Sequence, residues 1–547
     1  MRVNLLYGAT VVAFSAFLTG CNDGGSDSAS AVTSTASIIG TTPADGARNV
    51  DRTTTVSVSF DGDILGTSVT DSSLTLAAAQ GAIEGNVSFD GLNNIATFTP
   101  NAKLPLLSTV TATASASIAD LLGNAMGADY KWSFTTEDGQ WGTSVSIANG
   151  ASSFDAQQVA VDAAGNALVV WVQSSSIYFS RYSAASSTWD GASLLENSTE
   201  IAGVPQVAFD GTGNALVVWA QSDGTANSIY SNRYSAADDT WGGATLIEHS
   251  DEYATRPTVA FDADDNAVVM WVQSNGTYKG LYASRYIDID DSWGTPSLVS
   301  NTNVNVNDDD PSDLAVAANG DAVAVWSESG DLYANRYTGA TKSWGTPVSL
   351  ENLSTFVYEG QAAIDANGNV LVVWGQRFNS VNRVYANRYS AAKEMWSGEI
   401  LLDEADFFAD NPDVAIDPSG NALVVWFQAN APTVVSVFAK RYTIADDSWS
   451  GAVEIETSSV DAFLPQVAMD ANGNALAVWS EEDGSGNTTI HANRYASASA
   501  SWGSDILIQS DSESGENPRL AVGANGEAMA VWQQYGSSRG ISANHFD

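Results

Sequence analysis

An arginine followed by a tyrosine recurs seven times between residues 181 and 495, and arginine is a residue type that binds anions. Its planar guanidinium matches the oxygens of a carboxylate or phosphate. A residue found at one position of nearly every repeat, however, is more typical of a structural role that all repeats share. We therefore expect these arginines to stack on a repeat tryptophan or to pair with a turn carboxylate. They are Arg181, Arg233, Arg285, Arg336, Arg388, Arg441 and Arg494.

Two further series of polar residues follow the same repeat. Six aspartates open the turn between the first two strands of a repeat: Asp162, Asp210, Asp262, Asp365, Asp417 and Asp470. They could form a symmetric calcium or catalytic set, but Ala317 and Gly523 replace two of them, which favours turn capping. A Gln or Glu ends each long apolar run, as at Gln173 and Glu328. That series could line a ligand surface or satisfy the backbone of the hairpin.

No catalytic constellation or resident cofactor is indicated. The histidines His249, His491 and His545 lie in different repeats without ligand spacing, so the sequence does not predict a zinc site. The sequence contains no phosphate loop.

A specific site is expected instead in the loops that break the repeat, at 301–311, 377–383, 430–436 and 481–489. The first carries Asp308, Asp309 and Asp310, which form the best candidate for a cation site, with calcium as the cation. A solvated acidic loop is the favoured alternative.

Two tryptophan series define the repeat that must position these residues. Eight tryptophans lie inside apolar runs: Trp171, Trp219, Trp271, Trp326, Trp374, Trp426, Trp479 and Trp532. Eight more lie between the runs, from Trp141 to Trp502. A period of about 50 residues with four strands per repeat is typical of propeller blades. The predicted fold class is all-β, with an eight-bladed β-propeller over 138–547.

The order of strand, Asp-Gly-Asn turn and apolar strand resembles NHL-type propeller repeats, in which the first of these strands is innermost. That resemblance implies that the strand opened by the second tryptophan is outermost. The chain ends on a third strand, so residues 141–148 would complete blade eight by strand exchange. An open solenoid and two smaller rings are the alternatives. The turn is also loosely similar to the sialidase Asp-box, but its spacing is longer and no arginine triad is evident.

Residues 37–137 read as about seven short strands, a pattern typical of an Ig-like sandwich. Pro43, the Phe98-Thr99-Pro100 run, the segment 120–124 and the closing run Trp132-Ser133-Phe134-Thr135-Thr136 carry a resemblance to the bacterial Ig-like domains of S-layer and adhesin proteins. The resemblance implies a spacer or display module.

The first 20 residues read as a secretory signal peptide, and Leu18-Thr19-Gly20-Cys21 resembles the lipobox of bacterial lipoproteins. The resemblance implies lipidation of Cys21, and residues 21–36 then form a flexible Gly/Ser/Asp-rich tether. An ordinary signal peptide is the alternative. Asn22 favours the outer membrane or cell surface over the inner membrane.

The formal net charge of -43 argues against nucleic-acid partners. Together these features predict a surface-displayed, non-enzymatic binding or scaffolding lipoprotein whose partner is a cell-surface glycan or protein. The alternative is a polysaccharide-active propeller enzyme.

Overall fold

The computed structural model describes residues 36–150, 153–248, 250–308, 312–352, 355–404, 407–431, 434–482, 484–536 and 539–547. Within these ranges the chain is all-β, apart from 3₁₀ turns at Gly66–Ser68 and Asp288–Asp290. No helical segment among them is long and apolar enough to cross a bilayer. The signal peptide, Cys21, Asp309 and Asp310 lie outside the described residues.

The N-terminal domain is a sandwich of two four-stranded sheets, which confirms the predicted class. Strand order is β1-β2-β6-β5 in one sheet and β4-β3-β7-β8 in the other. Trp132, Phe134 and Leu74 are buried between them. The strands are β1 Ile38–Thr42, β2 Val56–Phe60, β3 Leu74–Ala78, β4 Gly81–Ile83, β5 Gly85–Asp90, β6 Ile95–Pro100, β7 Thr109–Ala114 and β8 Tyr130–Thr135.

The C-terminal region forms eight antiparallel sheets, numbered here as blades 1 to 8, with three long strands in each. The inner strands are Phe154–Val161, Ala202–Phe209, Ala254–Phe261, Asp313–Val316, Val357–Ile364, Ala409–Ile416, Ala462–Met469 and Ser514–Val522. The second strands are Ala167–Gln173, Ala215–Ser222, Ala267–Ser274, Ala322–Glu328, Val370–Phe378, Ala422–Ala431, Ala475–Glu482 and Ala528–Tyr535. The third strands are Ser176–Ser183, Asn227–Ser235, Lys279–Ile287, Asp331–Thr338, Val381–Ser390, Val434–Thr443, Thr488–Ala496 and Gly540–Phe546.

The sequence predicted one outermost strand in each blade. In the structure this strand is broken into two short segments. In blade 1, Tyr182 pairs with Trp189 and Tyr178 pairs with Leu194, and the residues between these pairs leave the ladder. The first segments are Thr188–Trp189, Thr240–Trp241, Ser292–Trp293, Ser343–Trp344, Met395–Trp396, Ser448–Trp449 and Ser501–Trp502. The second segments are Ser193–Leu194, Thr245–Leu246, Ser297–Leu298, Val348–Ser349, Ile400–Leu401, Val453–Glu454 and Ile506–Leu507.

Blade 8 takes its outer strand from the start of the repeat region. Strand β9, Val145–Asn149, pairs with the third strand of blade 8, and Trp141 bridges to Phe546. The sequence predicted 141–148 for this segment. Apolar residues of blade 8, including Met529 and Val531, pack against Trp171 of blade 1. The sheets therefore form a ring in which the first and last blades are neighbours.

The ring has two different faces. Each inner strand begins at one face, here called the mouth face, and ends at the other, here called the turn face, in the tight turn that leads to the second strand. The Ig-like domain contacts the turn face. The Leu106 amide donates to Asn525 O at 2.8 Å, and Ser108 Oγ donates to Asn472 Oδ1 at 3.0 Å.

Ion pairs reinforce this domain contact. Arg52, which is 3% exposed, pairs with both Glu527 and the C-terminal residue Asp547. Lys103 Nζ lies 2.5 Å from the other carboxylate oxygen of Asp547. Leu106 is fully buried against Leu476 and Phe546. The spacer domain is thus held against blades 7 and 8.

Gly540→Val should weaken the pairing of β9 with blade 8, because a Cβ at this position would lie 2.4 Å from Ala148 O. Overpacking of this kind costs about 1–3 kcal/mol. We expect a lower Tm together with faster amide exchange in both 141–149 and 540–546. Gly203→Val is the matched control, since nothing lies within 4 Å of its Cβ position. Exchange that rises at 540–546 alone would contradict the pairing.

Candidate functional site

The repeated arginines form contacts between neighbouring blades. Arg181 Cζ lies 4.2 Å from the ring centre of Tyr234, and Arg336 Cζ lies 3.9 Å from that of Tyr389, each in the next blade. Arg285 also pairs with the turn carboxylate of Asp262. Five of the arginines stack on a tyrosine of the next blade and Arg494 stacks on Phe546, whereas the sequence suggested the repeat tryptophan. Such cation–π contacts contribute about 0.5–1 kcal/mol each at partly exposed sites.

The buried tryptophans explain the Gln/Glu series. All eight second-strand tryptophans are at most 1% exposed. In seven blades the indole Nε1–H donates to the Gln or Glu side chain two residues later, over 2.9–3.2 Å. A buried indole N–H needs such an acceptor. These side chains thus serve the tryptophan, which neither of the two alternatives had anticipated.

The turn aspartates accept hydrogen bonds within their own turns. Asp162 Oδ1 accepts from the amides of Ala164 and Asn166, and its Oδ2 accepts from Asn166 Nδ2 at 2.8 Å. The same pattern recurs at Asp417. In the predicted cation loop, Asp308 Oδ2 lies 2.5 Å from Lys279 Nζ. The one described carboxylate of that loop therefore already faces a cation.

The most differentiated positions of the repeat meet in the central channel. A cavity of about 560 Å³ opens among the inner strands and is lined by residues of all eight blades. One inner-strand position is polar in every blade, and seven of these residues line the cavity: Gln158, Gln206, Thr258, Asp313, Gln361, Gln466 and Arg519. The eighth, Asp413, occupies the same strand position in blade 6, where Asn411 and Pro412 contribute to the lining. Two residues further along each strand, the residue is alanine in all eight blades. Alternate residues share a side of a strand, so a uniform position adjoins a variable one.

A β-bulge places a second set of side chains at the mouth of the channel. The pairing register shifts just before the variable position, for example between Asp155 and Gln158. The residue in the bulge has a positive φ although it is not glycine, as at Arg256 (51°), Glu359 (56°) and Asn411 (48°). Bulges re-aim side chains and occur near functional sites, and such backbone strain often accompanies function.

The charged groups of the channel interact with one another. Asp313 Oδ2 accepts from the Ala362 amide and Asp413 Oδ2 from the Val467 amide, each at 2.7 Å and each across a blade boundary. Burial raises the pKa of Asp413 to about 7; the Asp313 carboxylate adds to this rise, and Arg519 opposes it. Burial also raises the pKa of Asp313 and lowers that of Arg519. A carboxyl group that titrates near neutrality is a common feature of functional sites.

Sequence reasoning did not identify this channel. The sequence pattern placed the expected specific site in the irregular loops and did not indicate a site on the first strand of each repeat. The available signal was one position at which Gln, Thr, Asp and Arg vary between repeats, two residues before an alanine that is present in all eight. Only the ring brings these positions together, because they are about 50 residues apart along the chain.

Comparison with known proteins identifies one domain. Residues 32–136 match the family of bacterial Ig-like domains, which confirms the predicted identity of the N-terminal domain. No curated protein matches the chain.

Several solved structures share part of the architecture at about 10% identity. An ulvan lyase bound to its oligosaccharide has a TM-score of 0.43 and 10% identity, and the match covers 61% of this chain and 90% of the lyase. An arabinofuranosidase from Fusarium graminearum has a TM-score of 0.37 and 10% identity, covering 62% and 91%. A Dyadobacter fermentans protein of unknown function has a TM-score of 0.38 and 11% identity, covering 64% and 96%. All three TM-scores are below 0.5, so these likenesses do not indicate an activity for this chain.

Replacing Asp413 should change how stability depends on pH. The pKa of Asp413 is about 7 in the fold, against a usual 3.8, so the folded state holds its proton to higher pH than the unfolded chain. The contribution of Asp413 to the stability of the wild type therefore falls as pH rises from about 4 to about 7. Asp413→Asn keeps an acceptor for the Val467 amide but does not titrate. The Tm of the variant relative to wild type should be higher at about pH 8.5 than at about pH 5.

Asp223→Asn is the control for this measurement. Asp223 is an exposed loop residue whose pKa is lowered to about 2, mainly by the hydroxyl of Thr225. It is ionised in the folded and unfolded chains at both test values, so its variant should show the same Tm difference at each. Equal behaviour of the Asp413 and Asp223 variants would contradict the raised pKa.

Proposed function

We propose that this protein is a lipid-anchored, surface-displayed binding protein whose propeller holds a glycan in its central channel. The Ig-like domain is the spacer and the propeller is the binding head. The anchor is the diacylated Cys21, and the location is the outer membrane or cell surface. The binding function is not enzymatic in this proposal.

The observation that carries the proposal is the variable ring of eight equivalent inner-strand positions, seven of which line the channel. A purely structural ring of equivalent positions has no need to differ from blade to blade, as the neighbouring eight alanines demonstrate. Here four blades carry Gln and the others carry Thr, Asp, Asp and Arg. Because equivalent positions differ, the lining of the channel is asymmetric around the ring. An asymmetric lining is required to bind an asymmetric ligand in one orientation.

The chemistry of the lining suits a hydroxyl-rich ligand. Amides, carboxylates and guanidinium groups all form hydrogen bonds with hydroxyls. Val204 and Leu464 at the mouth offer apolar surface for sugar C–H faces. Arg256 and Arg519 balance the acidic charge of Asp313 and Glu359 in the lining. A volume of about 560 Å³ lies within the range of small-ligand sites.

The domain arrangement also suits display. The Ig-like domain contacts the turn face at blades 7 and 8, whereas the bulge residues open on the mouth face. A ligand that enters at the mouth face therefore approaches from the side opposite the spacer. An anchor that precedes the Ig-like domain leaves that approach open.

A glycan array probed with the full chain tests the proposal, and calorimetry then measures the affinity of any ligand found. Asp313→Gln and Arg519→Gln introduce the residue that four other blades carry, so both should fold. Each removes a charged hydrogen-bonding group worth about 1.5–3 kcal/mol, and affinity should fall by about 10- to 100-fold.

Asp223→Asn is again the matched control, because it removes an acid at the mouth face outside the channel. It should bind as wild type does. A glycan bound equally well by wild type and both channel variants would place recognition outside the channel. No binding to any glycan by folded protein would overturn the proposal.

The raised pKa of Asp413 supports a second candidate, a polysaccharide-active enzyme with Asp413 as general acid. A carboxyl group still protonated near pH 7 can donate a proton to a leaving group, while a second carboxylate stays ionised. Incubation of the array-positive polysaccharide with the protein, followed by reducing-end analysis, separates the two functions. Turnover that Asp413→Asn abolishes without loss of binding would establish the enzyme, and binding without turnover supports the first proposal.

The anchor has its own test. Cys21→Ser removes the only thiol of the chain and with it the proposed acyl chains. Several acyl chains anchor a protein firmly, since each buried CH₂ contributes about 0.8 kcal/mol. We expect wild type in the membrane fraction and the variant in the soluble fraction. A variant that remains with the membrane would contradict the anchor.

A further inference from the structure

Blade 7 brings together three side chains of the kinds that bind transition metals. Glu481 is the penultimate residue of the second strand, His491 lies on the third strand and Asp505 precedes the outer segment Ile506–Leu507. His491 Nδ1 lies 3.6 Å from Glu481 Oε2 and 3.9 Å from Asp505 Oδ2. The three side chains are 6%, 15% and 12% exposed, respectively. One ligand atom from each lies within 4.8 Å of the others.

The hydrogen bonds around His491 indicate which nitrogen carries the proton. Thr489 Oγ1 lies 3.2 Å from His491 Nε2 and 3.3 Å from the carbonyl oxygen of Glu481. The carbonyl can only accept, so the single hydroxyl proton serves it, and the hydroxyl oxygen then accepts from Nε2–H. In the neutral ring Nδ1 consequently has the lone pair. This atom is buried and has no hydrogen-bond partner among the described residues.

The distances fit a bound cation better than a shared proton. At 3.6 and 3.9 Å, both N···O separations exceed the 2.7–3.2 Å of N–H···O hydrogen bonds. Two ligands at about 2.1 Å from a tetrahedral zinc ion lie about 3.4 Å apart. Small side-chain shifts would bring the three atoms to that separation. A lone pair that faces two carboxylates is repelled by them unless positive charge lies between.

The other blades show that this combination is a local departure from the repeat. The residue that pairs with the buried tryptophan is tyrosine in five blades, phenylalanine in blade 6, serine in blade 8 and His491 in blade 7. The position of Glu481 is Gln in six blades and Glu328 in blade 4. The position of Asp505 is Ala, Pro or Ser in six blades and Glu399 in blade 5. Blade 7 alone has all three ligands.

We propose that Glu481, His491 and Asp505 bind one divalent transition-metal ion, with Zn²⁺ as the expected ion and water at the remaining position. An imidazole ligand favours such ions over Ca²⁺ and Mg²⁺, which prefer oxygen ligands alone. Thr489 orients the imidazole through its hydrogen bond with Nε2, on the opposite side of the ring from the metal-binding Nδ1. Trp479 Nε1 donates to Glu481 Oε2 at 3.2 Å. Outer partners of this kind usually support metal ligands.

Metal titration of the full chain tests the site. The protein carries Cys21→Ser, which removes the only thiol, and is stripped with a chelator. It is then titrated with Zn²⁺, and with Co²⁺ as a spectroscopic probe, at roughly 0.15 M salt with excess Ca²⁺ to occupy exposed carboxylates. We expect one Zn²⁺ per chain and visible Co²⁺ bands of a four- or five-coordinate site.

The variants use residues that other blades already carry at these positions. His491→Tyr, Glu481→Gln and Asp505→Ala should each fold, and His491→Tyr should weaken Zn²⁺ binding by on the order of 100-fold or more. Thr489→Val should weaken it by about 10-fold. Glu328→Gln in blade 4 is the matched control and should leave the stoichiometry unchanged.

Two results would overturn the site. One is the absence of tight Zn²⁺ binding by the stripped protein. The other is equal binding by wild type, His491→Tyr and Asp505→Ala, which would assign the metal to the acidic surface only. Thermal unfolding of each variant without metal shows whether it is folded, and the three ligand variants provide independent readings.

Discussion

Each four-stranded sheet of the propeller has two apolar faces, and it can bury both only between two neighbours. Separate clusters of buried residues lie between consecutive blades, and one of them joins blade 8 to blade 1. The fully buried tryptophan of each second strand is the largest member of such a cluster. Ring closure is thus a requirement of the repeat. The segment before blade 1 contributes to it because blade 8 has no outer strand of its own in sequence.

The fold was largely predictable because its signals are local and repeated. Tryptophan spacing, turn aspartates and alternating apolar residues indicated the blades, and the missing final strand indicated how the ring ends. The broken outer strand was not predictable, because its break is defined by which of its residues pair with the third strand. Thr188–Trp189 and Ser193–Leu194 pair with that strand, and the residues between them do not. The partner of Arg181 was misjudged for a similar reason, because Tyr234 is reached only across a blade boundary.

The candidate sites were not predictable because they consist of differences between equivalent positions. Asp313, Asp413 and Arg519 are unremarkable in sequence and acquire meaning only when eight inner strands converge. His491 likewise appeared isolated, yet strand pairing brings Glu481 and Asp505 to it. Repetition identifies the scaffold, and a repeat position that breaks the pattern identifies where chemistry differs. Physical proximity decides which of those breaks act together.

The position of β9 also determines how the molecule carries tension. A pull transmitted along the backbone from the N-terminal side reaches the ring at the start of β9, beside Trp141 on the turn face. Because antiparallel hydrogen bonds run perpendicular to their strands, a force along β9 loads its bonds to blade 8 together, in shear. Peeling would instead break them one at a time. The salt bridges of Arg52 and Lys103 with Asp547 connect the Ig-like domain directly to the far end of the same chain, so load can bypass β9. The joint that completes the ring is thereby also its mechanical coupling to the spacer.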